Sequence, residues 1–258
     1  MALIPPFYLD CVVAIGDSNK NWIGTGFLFG YKDTNSENYK TFLVTNKHVL
    51  KDKKDVILRF NPKDSTSSKD YKLSLIDETG KLLYKQHPNP NVDVAAINII
   101  VNQLDDDGIN YSIFYNDKYS YTINELKNLE TTEGDHIFAL GFPMGKVGND
   151  RRYTLLRSGA IARIRDLLEG KSTDFIVDAF VFPGNSGGPI ILAPHAIQIK
   201  NTKSNPKAAL IGIVKSYLPY RDIAVSPQTG KARVIFEENT GLTLVEPVDH
   251  IIETIMLP

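Results

Sequence analysis

The feature that most limits the fold of this chain is the recurrence of short apolar runs rich in β-branched and aromatic residues. The runs include CVVAI, KTFLVTN, DVILRFN, HIFALGF and AALIGIVKSYL. Polar turn segments such as GDSNKN, KDTNSEN and NPKDSTSSKD separate them. Strands at this spacing, with turn chemistry between them, are typical of antiparallel sandwiches and barrels. The sequence therefore predicts a mainly β protein.

Helical patterns are confined to three places. Two are the short segments INELKNLE and RIRDLLEG. The third is the end of the chain, where Asp249 precedes HIIETIML and the apolar residues follow the helical period. We expect a C-terminal helix from about Val248.

The polar, turn-rich segment DDDGINYSIFYNDKYSY lies near the middle of the chain and predicts a connection between two halves of similar size. We place the boundary near residue 118. Three further polar segments, residues 145–152, 194–207 and 221–230, are predicted to be long loop insertions. Loops of this kind carry specificity or regulation more often than packing.

Charge and cysteine content exclude several function classes. The 258 residues carry a net charge of -1 and no long block of like charge, so we expect neither a nucleic acid partner nor an anionic membrane partner. No apolar stretch reaches the length of a membrane-spanning helix. Cys11 is the only cysteine, which excludes an intramolecular disulfide and any cysteine-based zinc or iron–sulfur site.

Targeting and cofactor patterns are also missing from the sequence. The N-terminal MALIPPFYLD lacks the features of a secretory signal, and together with the single cysteine this predicts a cytoplasmic location. Neither an H-E-x-x-H zinc pattern nor a dinucleotide-binding fingerprint occurs. We therefore expect no metal and no cofactor.

The segment GNSGG at residues 184–188 is compatible with two catalytic geometries. It matches the G-x-S-x-G nucleophile elbow of α/β-hydrolases, which requires a helix directly after the serine. The following PIIL favours a strand, so an elbow served by Asp222 and His250 is only a minor alternative. The other geometry is a loop in which the backbone N–H groups of Gly184 and Ser186 form an oxyanion hole beside the serine hydroxyl.

A serine in such a loop needs a histidine base and a carboxylate that orients it. His48 ends the strongly apolar run TFLVTNKHVL, a position typical of a site residue at the end of a strand. Asp93 stands in NPNVDVAAINII between a polar turn and a buried run, with apolar residues on both sides, unlike ordinary solvated aspartates. The other histidines lack this context, and we expect surface or packed core positions for His87, His136, His195 and His250.

Six motifs occur in one order: GTGFLFG, LVTNKHVL, DVAAINI, ALGFPMG, RSGAIARI and DAFVFPGNSGGPI. They resemble the successive motifs of trypsin-like (chymotrypsin-fold) serine proteases, in particular the bacterial HtrA/Deg-like branch. The resemblance runs from about residue 10 to about residue 217. It implies two six-stranded antiparallel β-barrels and a C-terminal helix. Residues 1–118 would carry His48 and Asp93, and residues 119–258 would carry Ser186.

The resemblance also implies roles for these residues. His48 resembles the general base, Asp93 its orienting carboxylate and Ser186 the nucleophile, with Gly184 and Ser186 as the oxyanion donors. The implied activity is that of a serine endopeptidase, which cleaves a protein or peptide substrate through an acyl-enzyme. Two alternatives stay open: a catalytically latent chymotrypsin-fold module that binds a protein, and an esterase that uses the same serine. A dedicated protein target or activator is a further hypothesis.

The sequence departs from its relatives in activation and in specificity. Asn185 stands where animal digestive members carry an aspartate that pairs with a new N-terminus, so we predict no proteolytic activation. A PDZ domain, usual after the protease in HtrA-like proteins, is not expected here.

By resemblance, eight residues would line the primary substrate pocket. Phe180 would take the place of the carboxylate with which trypsin selects basic residues, so we predict that cleavage after Lys or Arg is disfavoured and that small or medium apolar residues are preferred. Lys215 could instead favour an acidic or amide side chain. The predicted lining residues are Phe180, Val181, Phe182, Pro183, Val214, Lys215, Ser216 and Tyr217.

Overall fold

The apolar runs of the N-terminal half form the strands of one sheet. The computed structural model describes residues 4–33, 36–195 and 203–257. The strands are β1 Val12–Gly16, β2 Trp22–Tyr31, β3 Lys40–Thr45, β4 Asp55–Pro62, β5 Lys69–Ser74, β6 Lys85–Gln86, β7 Ala95–Asn98, β8 Ile109–Asn110 and β9 Phe114–Tyr115. They follow the order β5-β4-β1-β2-β3-β7-β6, while β8 pairs with β4 and β9 with β2. The sheet curls into a half-barrel, because within the described residues its edge strands β5 and β6 do not pair with each other.

The C-terminal half forms a closed barrel. Its strands are β10 His136–Gly141, β11 Leu155–Arg163, β12 Phe175–Asp178, β13 Pro189–Leu192, β14 Ala209–Val225 and β15 Ala232–Pro247. They close in the order β10-β11-β12-β15-β14-β13. Inward-facing apolar residues such as Phe175, Ile190 and Val245 fill the interior and are fully buried. The predicted mainly β, chymotrypsin-like fold is confirmed, with the difference that the N-terminal barrel is open.

Short helices connect the strands, and a longer one ends the chain. They are α1 Phe7–Asp10, α2 Lys47–Leu50, α3 Asn102–Asp106, α4 Ile123–Asn128, α5 Arg165–Leu168 and α6 Val248–Met256. A capping box formed by Thr122 and Glu125 starts α4. Helix α6 begins at the predicted Val248, directly after Pro247, and buries Val248, Ile251 and Ile255.

A shared apolar core joins the two sheets. Phe27 and Phe29 of β2 belong to the same buried cluster as Leu140 of β10 and Ile213 of β14. Burial of apolar side chains in such a shared cluster is the main force that holds two sheets together. The boundary near residue 118 stays a prediction; the strands of the first sheet end at Tyr115 and the barrel begins at His136.

The predicted loop at residues 221–230 is wrong over much of its length. Strand β14 continues to Val225 and pairs with β15, which starts at Ala232, so a long antiparallel hairpin projects beyond the barrel. We call residues 218–240 the hairpin arm. Of the other predicted insertions, residues 145–152 connect a 3-10 turn to β11, and part of 194–207 lies outside the described residues.

Candidate active site

His48 is presented by the short helix that follows β3. Helix α2 buries Val49 and Leu50. The imidazole of His48, in contrast, is 49% exposed. One turn of helix therefore anchors itself in the core and leaves the histidine facing solvent. Asn46, which precedes the helix, donates from Nδ2 to the carbonyl of Asp93 over 2.6 Å and so ties this helix to the segment before β7.

His48 and Asp93 make two contacts with each other. The Nδ1 atom of His48 lies 2.5 Å from Oδ2 of Asp93, and the backbone N–H of His48 donates to Oδ1 over 3.2 Å. Burial acts to raise the pKa of Asp93, but the hydrogen bonds and charge of His48 outweigh it and hold the pKa below its ordinary value. An ionised Asp93 favours the tautomer with the proton on Nδ1, which leaves Nε2 free to accept a proton.

Ser186 lies in a loop that a strand of the other half holds in place. We call residues 182–188 the serine loop. Thr25 of β2 donates its backbone N–H to the carbonyl of Ser186 over 2.9 Å and its hydroxyl to the carbonyl of Gly184 over 2.6 Å. The same hydroxyl accepts from the N–H of Phe142 at 3.1 Å. One buried threonine thus fixes both carbonyls that flank Asn185.

Asn185 ties the serine loop to itself. Its side-chain Oδ1 accepts from the N–H of Phe182 over 3.1 Å, and its backbone N–H donates to the carbonyl of Phe182 over 2.9 Å. Its own carbonyl accepts from Gly188 at 2.8 Å. Asn185 is 1% exposed, so water does not compete for these bonds.

Two backbone donors of the serine loop are unused. The carbonyl of Pro183 accepts from the N–H of Met144 over 2.6 Å. Because a trans peptide is planar, the N–H of Gly184 points away from that carbonyl. Within the part of the chain that the structure describes, the N–H groups of Gly184 and Ser186 donate to no protein group. Free donors of this kind are what an oxyanion hole requires.

Gly184 is required at its position. Its φ is +100°, in the region that favours glycine. A Cβ there would lie 2.4 Å from the carbonyl oxygen of Phe142. Both backbone conformation and space therefore exclude a side chain.

The serine loop lies against the end of β3, three residues before His48. Thr45 donates its hydroxyl to the carbonyl of Thr25 over 2.7 Å, and a Cβ on Gly187 would lie 2.3 Å from the Thr45 hydroxyl oxygen. The Ser186 side chain is partly exposed, and among the described residues its hydroxyl has no hydrogen bond to His48. The structure thus pairs His48 with Asp93 and brings Ser186 to the same side of the molecule.

Some of the residues predicted to line the pocket are exposed to solvent, and others are buried or hydrogen-bonded to neighbours. Val214 pairs with the serine loop, since it donates to Gly188 over 2.8 Å and accepts from Gly187 at 3.1 Å. Phe180 is 49% exposed, whereas Val181 is 2% exposed and packs into the barrel.

Of the remaining lining residues, the side chains of Phe182, Tyr217 and Lys215 have partners, and two residues are exposed. The Arg157 guanidinium lies 5.1 Å from the ring centre of Phe182, and Pro183 and Ser216 are exposed. Tyr217 donates its hydroxyl to Glu237 over 2.7 Å. The ammonium of Lys215 has three acceptors, namely Glu246 at 2.9 Å, Asp174 at 3.2 Å and the carbonyl of Asn91 at 2.8 Å.

Sequence reasoning missed Thr25 and Glu246. Thr25 carries no signal of its own, since a threonine in a β run is ordinary. Glu246 does carry one. It is a carboxylate at the end of the apolar run LTLVEP, and a charge at a buried strand end is as unusual there as at Asp93.

The alternative site built on Asp222 and His250 is not assembled. Ser186 is followed by strand β13 rather than a helix. Asp222 lies exposed on the hairpin arm, while His250 is buried against Glu246 at 2.7 Å. The elbow geometry of α/β-hydrolases is therefore excluded for this serine.

Two patterns bear on what the described residues could do, a metal-ligand cluster and a membrane-spanning helix. Within residues 4–33, 36–195 and 203–257, no three His, Cys, Asp or Glu side chains are grouped so that they could hold a metal ion. Over the same ranges, every helix is too short or too polar to span a membrane.

Comparison with known proteins assigns a family. No curated protein matches the chain. Its fold is similar to the solved structures of the MamO protease domain from Magnetospirillum magneticum (apo form; 15% identity, 95% of this chain and 96% of that one, TM-score 0.49) and of human heparin binding protein (10% identity, 98% and 95%, TM-score 0.52). At this identity the second similarity supports the fold alone. Residues 24–194 match the model of the trypsin-like peptidase domain. Since the match covers more than half of the chain, the protein belongs to the trypsin-like peptidase family.

Proposed function

We propose that the protein is a serine endopeptidase that uses His48, Asp93 and Ser186. The observation that carries the proposal is the combination of an oriented His48–Asp93 pair with a tied serine loop whose Gly184 and Ser186 N–H groups are free. A pair of this kind activates a serine hydroxyl, and free N–H groups stabilise the charge that follows. Membership of a peptidase family implies that the substrates are proteins.

The reaction follows from these positions. The hydroxyl oxygen of Ser186 attacks the peptide carbonyl while Nε2 of His48 takes its proton. The N–H groups of Gly184 and Ser186 hold the resulting oxyanion, and His48 then gives the proton to the leaving amine. Water attacks the acyl-enzyme by the same route and releases the second product. Asp93 holds the imidazole in the required tautomer and stabilises its cationic form.

Asn185 supports the proposal that no new N-terminus is needed for activity. Its buried side chain ties the serine loop through the N–H of Phe182, so the loop has an internal clamp in place of an external ion pair. We therefore propose regulation without propeptide cleavage, and with it membership of the HtrA/Deg-like branch.

The proposed specificity depends on Phe180. An exposed aromatic ring at the expected floor of the pocket offers no counter-charge to a cation. The ammonium of Lys215 is already held by three acceptors, so an acidic side chain gains less from it. We propose a preference for small or medium apolar residues before the cleaved bond, and cleavage profiling on a peptide library tests it; dominant Lys or Arg at that position would contradict it.

Labelling with a fluorophosphonate probe tests the proposed nucleophile. We expect the wild-type protein to be labelled at Ser186 and the variants Ser186→Ala and His48→Ala to lose labelling. His136→Ala is the matched control, because this exposed histidine contacts Ser158 and lies outside the site. Labelling that survives His48→Ala would contradict the triad.

Probe labelling, turnover of esters and proteins, and co-purification together separate the alternatives. A wild-type protein without labelling would support the latent binding module. Turnover of esters without cleavage of an unfolded protein such as casein would support the esterase alternative. Co-purification of a protein with Ser186→Ala, beyond what the wild type retains, would identify a dedicated target.

A further inference from the structure

A buried carboxylate stands directly behind Asp93. Glu246 lies near the end of β15, and its side chain is 0% exposed. Its Oε1 accepts the backbone N–H of Asp93 over 3.0 Å and lies 2.9 Å from the ammonium of Lys215. Its Oε2 lies 2.7 Å from Nδ1 of His250 on α6. Three donors from three separate segments thus converge on one carboxylate.

Glu246 and Lys215 form an ion pair in the interior. Burial acts to raise the pKa of Glu246, but hydrogen bonds from His250, Asp93 and Lys215 outweigh it and hold the pKa below its ordinary value. Burial acts to lower the pKa of Lys215, and the opposing bonds and charges of Glu246 and Asp174 raise it above its ordinary value. Glu246 therefore stays ionised beside an ionised lysine, as an ion pair that its hydrogen bonds make tolerable in the interior.

The geometry of Asp93 depends on its backbone. The side chain of Asp93 reaches His48 with both oxygens, while the carbonyl of Asp93 is held by Asn46 and its N–H by Glu246. Both backbone polar groups of Asp93 are thus held by side chains of other residues, Asn46 and Glu246. A shift of the Asp93 backbone would carry its carboxylate away from Nδ1 of His48.

We infer that Glu246 is a positioning residue, which fixes the backbone of Asp93 and through it the orientation of His48. This inference rests on the proposed function for its effect on catalysis, but its structural content is independent of activity. Among the described residues, Glu246 makes no hydrogen bond or ion pair with His48 or Ser186, so its link to the histidine runs through Asp93. A misplacement of about 1 Å at a reacting group can lower a rate about 100-fold.

A pair of double variants isolates the bond to Asp93. Lys215→Met with Glu246→Gln removes the ion pair and keeps an amide oxygen for the Asp93 N–H. Lys215→Met with Glu246→Ala removes the ion pair and also the acceptor. Loss of both charges together leaves no unpaired ion at position 215 or 246, and Asp174, which loses the Lys215 ammonium, keeps the hydroxyl of Ser172 and some exposure to water. Glu253→Gln is the matched control, since this 57% exposed carboxylate of α6 contacts His87 and not Asp93.

Two readouts are measured on each protein. The first is the far-downfield proton NMR resonance of the His48 Nδ1–H, which reports the short bond to Asp93 whether or not the protein is an enzyme. The second is the fluorophosphonate labelling rate at saturating probe, together with the probe concentration that gives half of it. We expect Lys215→Met/Glu246→Gln to keep the resonance, and its labelling rate is the reference, because both double variants carry the same change at position 215. Relative to that reference, we expect Lys215→Met/Glu246→Ala to lose the resonance and at least about ten-fold in rate, with the half-saturating concentration unchanged.

Each outcome decides the inference. Equal behaviour of the two double variants overturns it, as does a wild type without the resonance. If the alanine variant does not fold, Lys215→Met/Glu246→Met decides, because methionine fills the space of the side chain without offering an acceptor: loss of the resonance supports the inference, and retention overturns it. A wild type that shows the resonance but is not labelled refutes the proposed protease and leaves the role of Glu246 toward Asp93 intact.

Discussion

The serine loop has no regular secondary structure but is firmly anchored, whereas the hairpin arm consists of paired strands but is exposed. The serine loop, residues 182–188, contains no helix or strand. Hydrogen bonds nevertheless fix its backbone to Thr25, to Met144 and to other residues of the loop. The hairpin arm, residues 218–240, has a regular strand ladder, yet its large apolar side chains stand in solvent. The exposed ones are Tyr220, Ile223, Val225, Val234, Ile235 and Phe236.

This difference teaches that order at the site comes from buried partners rather than from regular structure. Asn185 in the loop is 1% exposed, while Ile235 in the arm is 60% exposed. Buried polar bonds are costly to break, whereas exposed ones are replaced by bonds to water. A change in the loop should therefore cost activity and stability, and a similar change in the arm should cost little of either.

The largest effect is expected from Gly184→Ala, with Gly230→Ala as its control at a second glycine of positive φ. Gly184→Ala places a Cβ 2.4 Å from the Phe142 carbonyl, while Gly230→Ala at the tip of the arm meets nothing within 4 Å. We expect the first to lower fluorophosphonate labelling about 100-fold or more, because it displaces an oxyanion donor. The second should leave the labelling rate unchanged. Equal rates for the two variants would contradict the difference between the regions.

Two threonine substitutions extend the comparison to stability. Thr25→Val leaves the carbonyl of Gly184 and the N–H of Phe142 unpaired in the interior, so we expect a loss of about 2 to 4 kcal/mol in the free energy of unfolding. Thr240→Val in the arm also removes a hydroxyl bond, to Leu218, but at an exposed site. Urea denaturation should show a loss below about 0.5 kcal/mol for that control. A larger loss for Thr240→Val than for Thr25→Val would reverse the ranking.

Acid should destabilise the fold through Asp93 and Glu246, at the inner end of β15. Asp93 and Glu246 have pKa values below their ordinary ones, so the unfolded chain binds more protons than the folded one as the pH falls. Their stabilisation is complete above the ordinary carboxylate range and is lost below about pH 4. Asp249, whose pKa burial raises, works in the opposite direction.

Unfolding of wild type and Lys215→Met/Glu246→Gln across this pH range measures the effect. The wild type should lose more stability on acidification than the variant, which has no carboxylate at position 246. Parallel curves for the two proteins would remove Glu246 from the explanation.

The smallest effect is expected from shortening the arm. Tyr220 and Glu238 are cross-strand partners, so residues 221–237 can be replaced by Asn-Gly, which forms a two-residue hairpin turn. We expect a loss below about 1 kcal/mol, since the removed side chains are exposed and their ion pairs are at the surface. Labelling by the small probe should stay within about two-fold. A shortened protein that no longer folds would show that the arm is part of the core structure.

Local patterns predicted the parts of the molecule that depend on neighbouring residues. The apolar runs became strands, and Asp249 with the helical period of HIIETIML marked the start of α6, because an acidic residue favours the first turn of a helix. The flanks of His48 and Asp93 indicated their positions, and the structure brings the two together at 2.5 Å. The triad itself stays a prediction, since the Ser186 hydroxyl is not paired with His48.

The rest depended on residues far apart in the chain. The arm contains the turn-like segment SPQTG and several polar residues, which predicted a loop. Its strands are recognised only from their pairing, in which Asp222 faces Phe236. The open edge of the first sheet follows from the shortness of β6, which only the completed sheet reveals. Glu246 is separated from Asp93 by 153 positions, so no local pattern connects them.

The bonds from Thr25 to the serine loop have a consequence for the timing of synthesis. Thr25 leaves the ribosome well before the serine loop, since the Gly184 carbonyl that it holds lies 159 positions later. The serine loop therefore takes its final shape only after the C-terminal barrel has formed and met a sheet that was made much earlier. We expect a chain that is still being translated to carry His48 and Asp93 but no competent nucleophile. If the proposed function holds, such a chain cannot cleave its own unfinished copies before the C-terminal barrel is complete.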